Sequence, residues 1–145
     1  MDAVGELAKK HGLKLHMDGA RIMNAVVATG IPVARYIQAC DSMSVCLSKG
    51  LAAPIGSMIV GTQEFITQAK RVRKSLGGGM RQVGVIAAAG LVALNTMVER
   101  LKDDHVNAKA LATAISQMHG LIVDPSTIDT NIVYFGLNPT LLKLN

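Results

Sequence analysis

Residues 13–50 read LKLHMDGARIMNAVVATGIPVARYIQACDSMSVCLSKG, and this stretch decides the fold. Two short runs, Leu13–Met17 and Ser42–Ser48, have the length of strands. The first ends at Asp18 and the second at Lys49. Between them lie two helical patterns. Ala20 to Ala28 is stopped by Gly30, and Pro32 sits in the first turn of a helix that runs to about Ala39. Strands separated by helices argue for a parallel sheet in an α/β layer fold. In such sheets ligands sit beyond the carboxyl ends of the strands. Asp18 and Lys49 both stand there, and each precedes a glycine, Gly19 and Gly50, where the chain can turn sharply.

Working outward, Val4 to Lys10 reads as the end of a helix, closed by Gly12. Downstream, Gly56 to Val60 is a third strand, and Thr62 caps a helix that runs to about Lys74. Gly77-Gly78-Gly79 forms a loop, and a long apolar helix extends from about Gln82 to Leu101. A further helix starts at Asp103 or Asp104 and ends at Gly120. Leu121–Val123 and Asn131–Phe135 are two strands of a smaller unit. The expected division is therefore 1–101, a partial large domain, and 102–145, a partial small domain of α+β type.

Composition narrows the class. The chain has 145 residues, of which 50% are hydrophobic and 17% charged, against about 25% charged in an average soluble protein. That balance excludes intrinsic disorder as the main state. The longest uncharged stretch, Gln82 to Val98, is short of the roughly 20 mostly apolar residues of a membrane span and holds two glycines, so no membrane partner is expected. The opening Met1–Lys10 has no apolar run before a cleavage site, which argues against a secretory signal. Cys40 and Cys46, without an export signal, fit free thiols in a reducing, cytoplasmic setting. They form no Cys-x-x-Cys pair, and His16 with Asp18 would supply only two ligands, so no metal site is expected.

The net charge is +5. Its basic cluster, Lys70, Arg71, Arg73 and Lys74 with Arg81 beyond, is either a solvated helix face or a local anion site for a small phosphate. With 3% aromatic residues and no Trp, the stacking faces of a single-strand binder are missing, and no nucleic-acid partner is expected.

One carboxylate and one lysine at neighbouring strand ends suit pyridoxal phosphate chemistry. The amine can form a Schiff base with the cofactor aldehyde, and the carboxylate can pair with the pyridine nitrogen. A helix cap and a surface lysine would also account for the two residues taken singly.

Three motifs then carry a resemblance. His16-Met17-Asp18-Gly19-Ala20-Arg21 resembles the HMDGAR motif of the low-specificity L-threonine aldolases. Ser48-Lys49-Gly50-Leu51, with Ala53-Pro54-Ile55-Gly56 after it, is similar to the family's lysine motif. Gly77-Gly78-Gly79-Met80-Arg81-Gln82 is similar to its GGGMRQ signature. The resemblance runs from about Ala8 to Phe135. It implies the aspartate aminotransferase-like fold of pyridoxal phosphate enzymes (fold type I) and cleavage of L-threonine or L-allo-threonine to glycine and acetaldehyde. It further implies that Lys49 is the Schiff-base lysine and Asp18 the pyridinium partner. Arg21 would hold the carboxylate of the β-hydroxy amino acid substrate, and Arg81 the cofactor phosphate of a neighbouring subunit in a homodimer or homotetramer.

The resemblance also implies a longer parent protein. An N-terminal half would supply the phosphate-cradling loop and a ring-stacking histidine, and a second carboxylate-binding arginine would lie beyond Asn145. The expected object is a central fragment of a threonine aldolase. The alternatives are another β-eliminating lyase of the same fold, and a catalytically inactive subunit-interaction module.

Overall fold

The structure, a computed structural model, describes residues 1–142; the last three residues of the 102–145 unit and of the Asn138–Asn145 tail lie outside the described residues. α1 spans Asp2–Lys10, with Asp2 in its first turn and Lys9 and Lys10 in its last, charges that complement the helix dipole. Gly12 follows at φ +64, and the Leu13 amide reaches back to the Ala8 carbonyl at 2.9 Å. The helix therefore closes on a left-handed glycine, as the sequence predicts.

β1 (His16–Asp18) leads into α2 (Ile22–Thr29), which ends at Gly30 with φ +69. α3 is a single turn, Val33–Tyr36, shorter than expected, with Pro32 at its N-cap. β2 (Ser42–Cys46) and β3 (Ser57–Gly61) follow. α4 (Gln63–Ser75) starts where expected, with the Thr62 hydroxyl accepting the Phe65 amide at 3.2 Å. Then come α5 (Gly84–Thr96), α6 (Leu101–Ser116), β4 (Leu121–Ile122), a 3-10 turn at Pro125–Thr127, β5 (Gly136–Leu137) and α7 (Pro139–Leu142).

The main sheet has the order β1-β2-β3. β1 and β2 are parallel, in the register His16↔Ser42, Met17↔Met43, Asp18↔Ser44. β1 begins only at His16 because its ladder begins opposite Ser42. The Asp41 carboxylate sets that start: it accepts the Leu15 amide at 2.9 Å and pairs with Lys14 at 2.8 Å. Those two bonds, Lys14 first, hold its carboxyl below the usual carboxylate range.

Three expectations need correction. β3 is antiparallel to β2, so the sheet is mixed. The connection 47–56 contains no helix and is too short for a parallel crossover, which takes a dozen residues or more. The helix expected over Gln82–Leu101 is shorter, α5, and the one expected from Asp103 or Asp104 to Gly120 is α6, which starts at Leu101 and ends at Ser116; the two meet in a 72° bend across residues 97–100. The bend turns Leu101 into the core, where it is 1% exposed, and leaves Glu99 and Arg100 in solvent. The strand expected over Asn131–Phe135 falls instead at Gly136–Leu137, opposite Leu121–Ile122. β4 cannot run further, because Asp124 caps the 3-10 turn through the Ser126 amide.

Two apolar clusters form the interior. One joins Leu47, Leu51, Ala53, Ala93 and Leu101. The other joins Ile22, Met43 and Val45 on the face of β1 and β2 that α2 covers, and Met23 packs against both. α6 packs along α2 and reaches the small sheet. No single helix among the described residues is long and apolar enough to cross a membrane.

Candidate active site

Parallel pairing puts the carboxyl ends of β1 and β2 side by side. Asp18 ends β1 level with Ser44. Its Oδ1 accepts the Ala20 amide at 3.0 Å and the Ser44 hydroxyl at 3.5 Å. Among the described residues its Oδ2 accepts nothing, so one carboxylate oxygen is fixed and the other is available. Gly19 makes the turn possible. Its amide donates to the Ser44 carbonyl at 2.9 Å, and a Cβ there would stand 2.8 Å from that same oxygen. The chain passes so close to β2 that only glycine fits.

Beyond β2 the chain folds back on itself. The buried Leu47 donates its amide to the Gly56 carbonyl at 2.9 Å and accepts the Ala53 amide at 3.0 Å. Lys49 opens the turn on top of this loop, and its carbonyl accepts the Ala52 amide at 2.8 Å. Ala52 stands at φ +60, a left-handed conformation that a residue with a Cβ adopts at a cost. The Lys49 amine is exposed and makes no ion pair among the described residues.

Arg21, at the N-cap position of α2, and Lys49 line one shallow cleft with Asn24, Cys46 and Gly50. The cleft has a cavity volume of only about 10 Å³, and Asp18 stands beside it without lining it. A carboxylate, a guanidinium and a free amine are thus gathered at neighbouring strand ends. Their chemistry fits the groups of pyridoxal phosphate and an amino acid: an amine for an aldehyde, a carboxylate for a protonated ring nitrogen, and a planar fork for a substrate carboxylate.

Arg81 is not brought to this cleft. It lies in the exposed connection between α4 and α5, past Gly77 at φ +83, and does not line the cleft. The basic residues Lys70 and Arg73 border a separate groove between α4 and the Met58–Ile59 edge of β3. Asn24 is a site residue the sequence reading missed. It is 4% exposed in an otherwise apolar helix face and hydrogen-bonds His105 on α6. A buried polar side chain inside IMNAVVAT is the signal that could have found it.

Residues 1–137 match the family described as beta-eliminating lyase. Low-specificity L-threonine aldolase 1 of Arabidopsis thaliana is 54% identical over 136 residues, 94% of this chain and 38% of that protein. Low specificity L-threonine aldolase of Escherichia coli K12 is 47% identical over 129 residues, 89% of this chain and 38% of that protein. The chain therefore spans well under half the length of these curated relatives. Among solved structures, one from Listeria monocytogenes, provisionally described as an L-allo-threonine aldolase, superposes with a TM-score of 0.81 at 21% identity. The match covers 89% of this chain and 36% of that one. The fold expected from the three motifs is borne out by that likeness.

Proposed function

We propose, from the premise that the chain belongs to the beta-eliminating lyase family, that it is the central part of a pyridoxal phosphate-dependent aldehyde-lyase. The reaction would break the Cα–Cβ bond of L-threonine or L-allo-threonine and release glycine and acetaldehyde. The observation that carries this reading is the pair Asp18 and Lys49 at the ends of adjacent parallel strands, with Arg21 and Lys49 on one cleft. The curated relatives named as L-threonine aldolases support the substrate class.

The cofactor, when bound, supplies an aldehyde for the substrate amine and a ring that draws electrons from Cα. Lys49 would hold that aldehyde covalently between turnovers. The available oxygen of Asp18 would face the ring nitrogen and keep its proton in place, while the Ala20 amide and the Ser44 hydroxyl hold the carboxylate still. Arg21 would bind the substrate carboxylate through its two parallel N–H groups. Arg81, exposed and away from the cleft, would serve the cofactor phosphate of a partner subunit in a homodimer or a dimer of dimers. The exposed apolar side chains of α5, Val85, Leu91 and Val92, give such a partner a surface to cover. Residues 1–101 would form part of the large, cofactor-binding domain and 102–145 part of the small domain, in a cytoplasmic enzyme.

Borohydride reduction in the presence of pyridoxal phosphate, followed by peptide mapping, tests the reading. The label is expected on Lys49. A label on Lys70 or Lys74 with Lys49 clean would sink the assignment. In the longer enzyme, Asp18→Asn should lower turnover by orders of magnitude while the label on Lys49 persists, and unchanged turnover would leave Asp18 a helix-turn residue only.

A further inference from the structure

Asn24 is one of two buried polar side chains among the described residues, with Ser42, and it lines the same cleft as Lys49. Its Nδ2 lies 3.1 Å from Nε2 of His105, which is 81 residues away in sequence. An amide nitrogen only donates, so the imidazole Nε2 accepts. Asn24 Oδ1 lies 3.9 Å from the point that a Cβ on Gly50 would occupy, and Asp104 Oδ2 and Leu101 Cδ2 lie 3.4 and 2.7 Å from it. Gly50 is thus walled in by α2 on one side and by the first turns of α6 on the other. The turn it belongs to is strained at Ala52, and strained backbone persists where its surroundings over-determine it.

We propose that Asn24 and His105 are positioning residues for Lys49. Their hydrogen bond ties α6 to α2, and the α6 side chains Leu101 and Asp104 then press on Gly50 and hold the Lys49–Ala52 turn in its strained form. The amine is thereby presented toward the cleft that it shares with Arg21. The inference rests on the reading of Lys49 as the cofactor-holding lysine. It also makes a claim about the backbone that needs no cofactor.

The test follows amide hydrogen exchange, resolved by NMR, in the wild-type chain and in Asn24→Ala, His105→Ala and His105→Gln. The Ala52 amide reports on the turn because it donates to the Lys49 carbonyl. Val60, in the β2–β3 ladder, is the distant control. Ala52 exchange should rise about tenfold in both alanine variants, the scale of one lost hydrogen bond, with Val60 unchanged. His105→Gln puts an amide oxygen near the place of Nε2 and should restore slow exchange. A second readout is the reactivity of Lys49 toward trace acetic anhydride, relative to Lys70, which should change in the alanine variants and recover with Gln. Unchanged exchange at Ala52 would overturn the proposal. So would an equal rise at Ala52 and Val60, since the pair would then support the whole fold and not the turn. If the exchange pattern holds but borohydride with pyridoxal phosphate leaves wild-type Lys49 unlabelled, the positioning stands and the proposed function falls.

Discussion

The strand-end region around Asp18 and Lys49 and the arm formed by α4, the glycine loop and α5 both carry apolar side chains, and those side chains end up in opposite states. At the strand ends Met43, Val45, Leu47, Leu51 and Leu101 are all buried. In the arm α4 buries no residue, and α5 buries only Gly90 and Ala93. Val85 is 83% exposed and Leu91 61%. Apolar composition measures how much surface seeks cover and says nothing about which chain provides it. The strand-end region finds its cover within this chain, because α2, β2 and α6 meet there. The arm does not find it among the described residues.

Truncation of one leucine in each region should break the comparison if it is wrong. Leu101→Ala empties a site enclosed by Leu47, Leu51, Ala53 and Ala93, and such a cavity costs about 2–5 kcal/mol. Leu91→Ala removes a side chain that is 61% exposed within this chain and, at a dilution where no partner covers it, should cost under about 0.5 kcal/mol. Urea denaturation of the two variants gives both values. Comparable losses would mean that α5 is as well packed as α6, and the division between the regions would fail.

A smaller contrast lies in the glycines. In Gly19→Ala the new Cβ would stand 2.7 Å from Met43 Sδ and 2.8 Å from the Ser44 carbonyl oxygen. The backbone oxygen cannot yield without disturbing the parallel ladder, so a loss of about 1–3 kcal/mol is expected. In Gly79→Ala the Cβ meets only the Lys74 side chain, which can swing into solvent, and the cost should stay below about 0.5 kcal/mol. Equal midpoints for the two variants in urea would show that the turn at Asp18 is looser than drawn.

What could be read in the sequence follows the same line. Local signals were legible: the left-handed glycines Gly12 and Gly30, the Thr62 cap, and Asp18 and Lys49 at successive strand ends. Features set by distant partners were not. Met58-Ile59-Val60 reads as a strand whichever way it runs, and only the missing helix in residues 47–56 hints that it returns antiparallel. The boundary between α5 and α6 was legible near Leu101, because Asp103 and Asp104 can start a helix, but the 72° angle was not: it exists because Leu101 is drawn into a core with Leu47, Leu51 and Ala53. Asn24 is not singled out by the sequence reading, and its partner His105 lies on an element that the sequence does not visibly link to α2. Arg81 could be placed after three glycines, and only the family resemblance, not composition or spacing, led it to be expected away from Lys49 of the same chain.

The finest distinction between the two regions concerns strain. Each contains one residue other than glycine at positive φ, Ala52 at +60 and Gln82 at +47. A left-handed residue with a Cβ costs roughly 1–2 kcal/mol, which glycine avoids. Glycine in turn loses about 0.4–1 kcal/mol through the greater freedom of its unfolded chain. At Ala52 the strained form is locked by the 2.8 Å bond to the Lys49 carbonyl and by the packing on Gly50. The relief should therefore be felt in full, and Ala52→Gly should stabilise by up to about 1 kcal/mol. Gln82 is exposed in a loop, and no backbone hydrogen bond from its amide fixes the conformation among the described residues. It can shed strain by small rotations, so little is left for glycine to relieve while the unfolded-chain term remains. Gln82→Gly should be neutral or cost up to about 0.5 kcal/mol. Opposite signs in the two urea midpoints would sharpen the contrast between a turn held by its surroundings and a loop that is not. A gain at Gln82 equal to that at Ala52 would show that the arm constrains its backbone as tightly as the strand ends do.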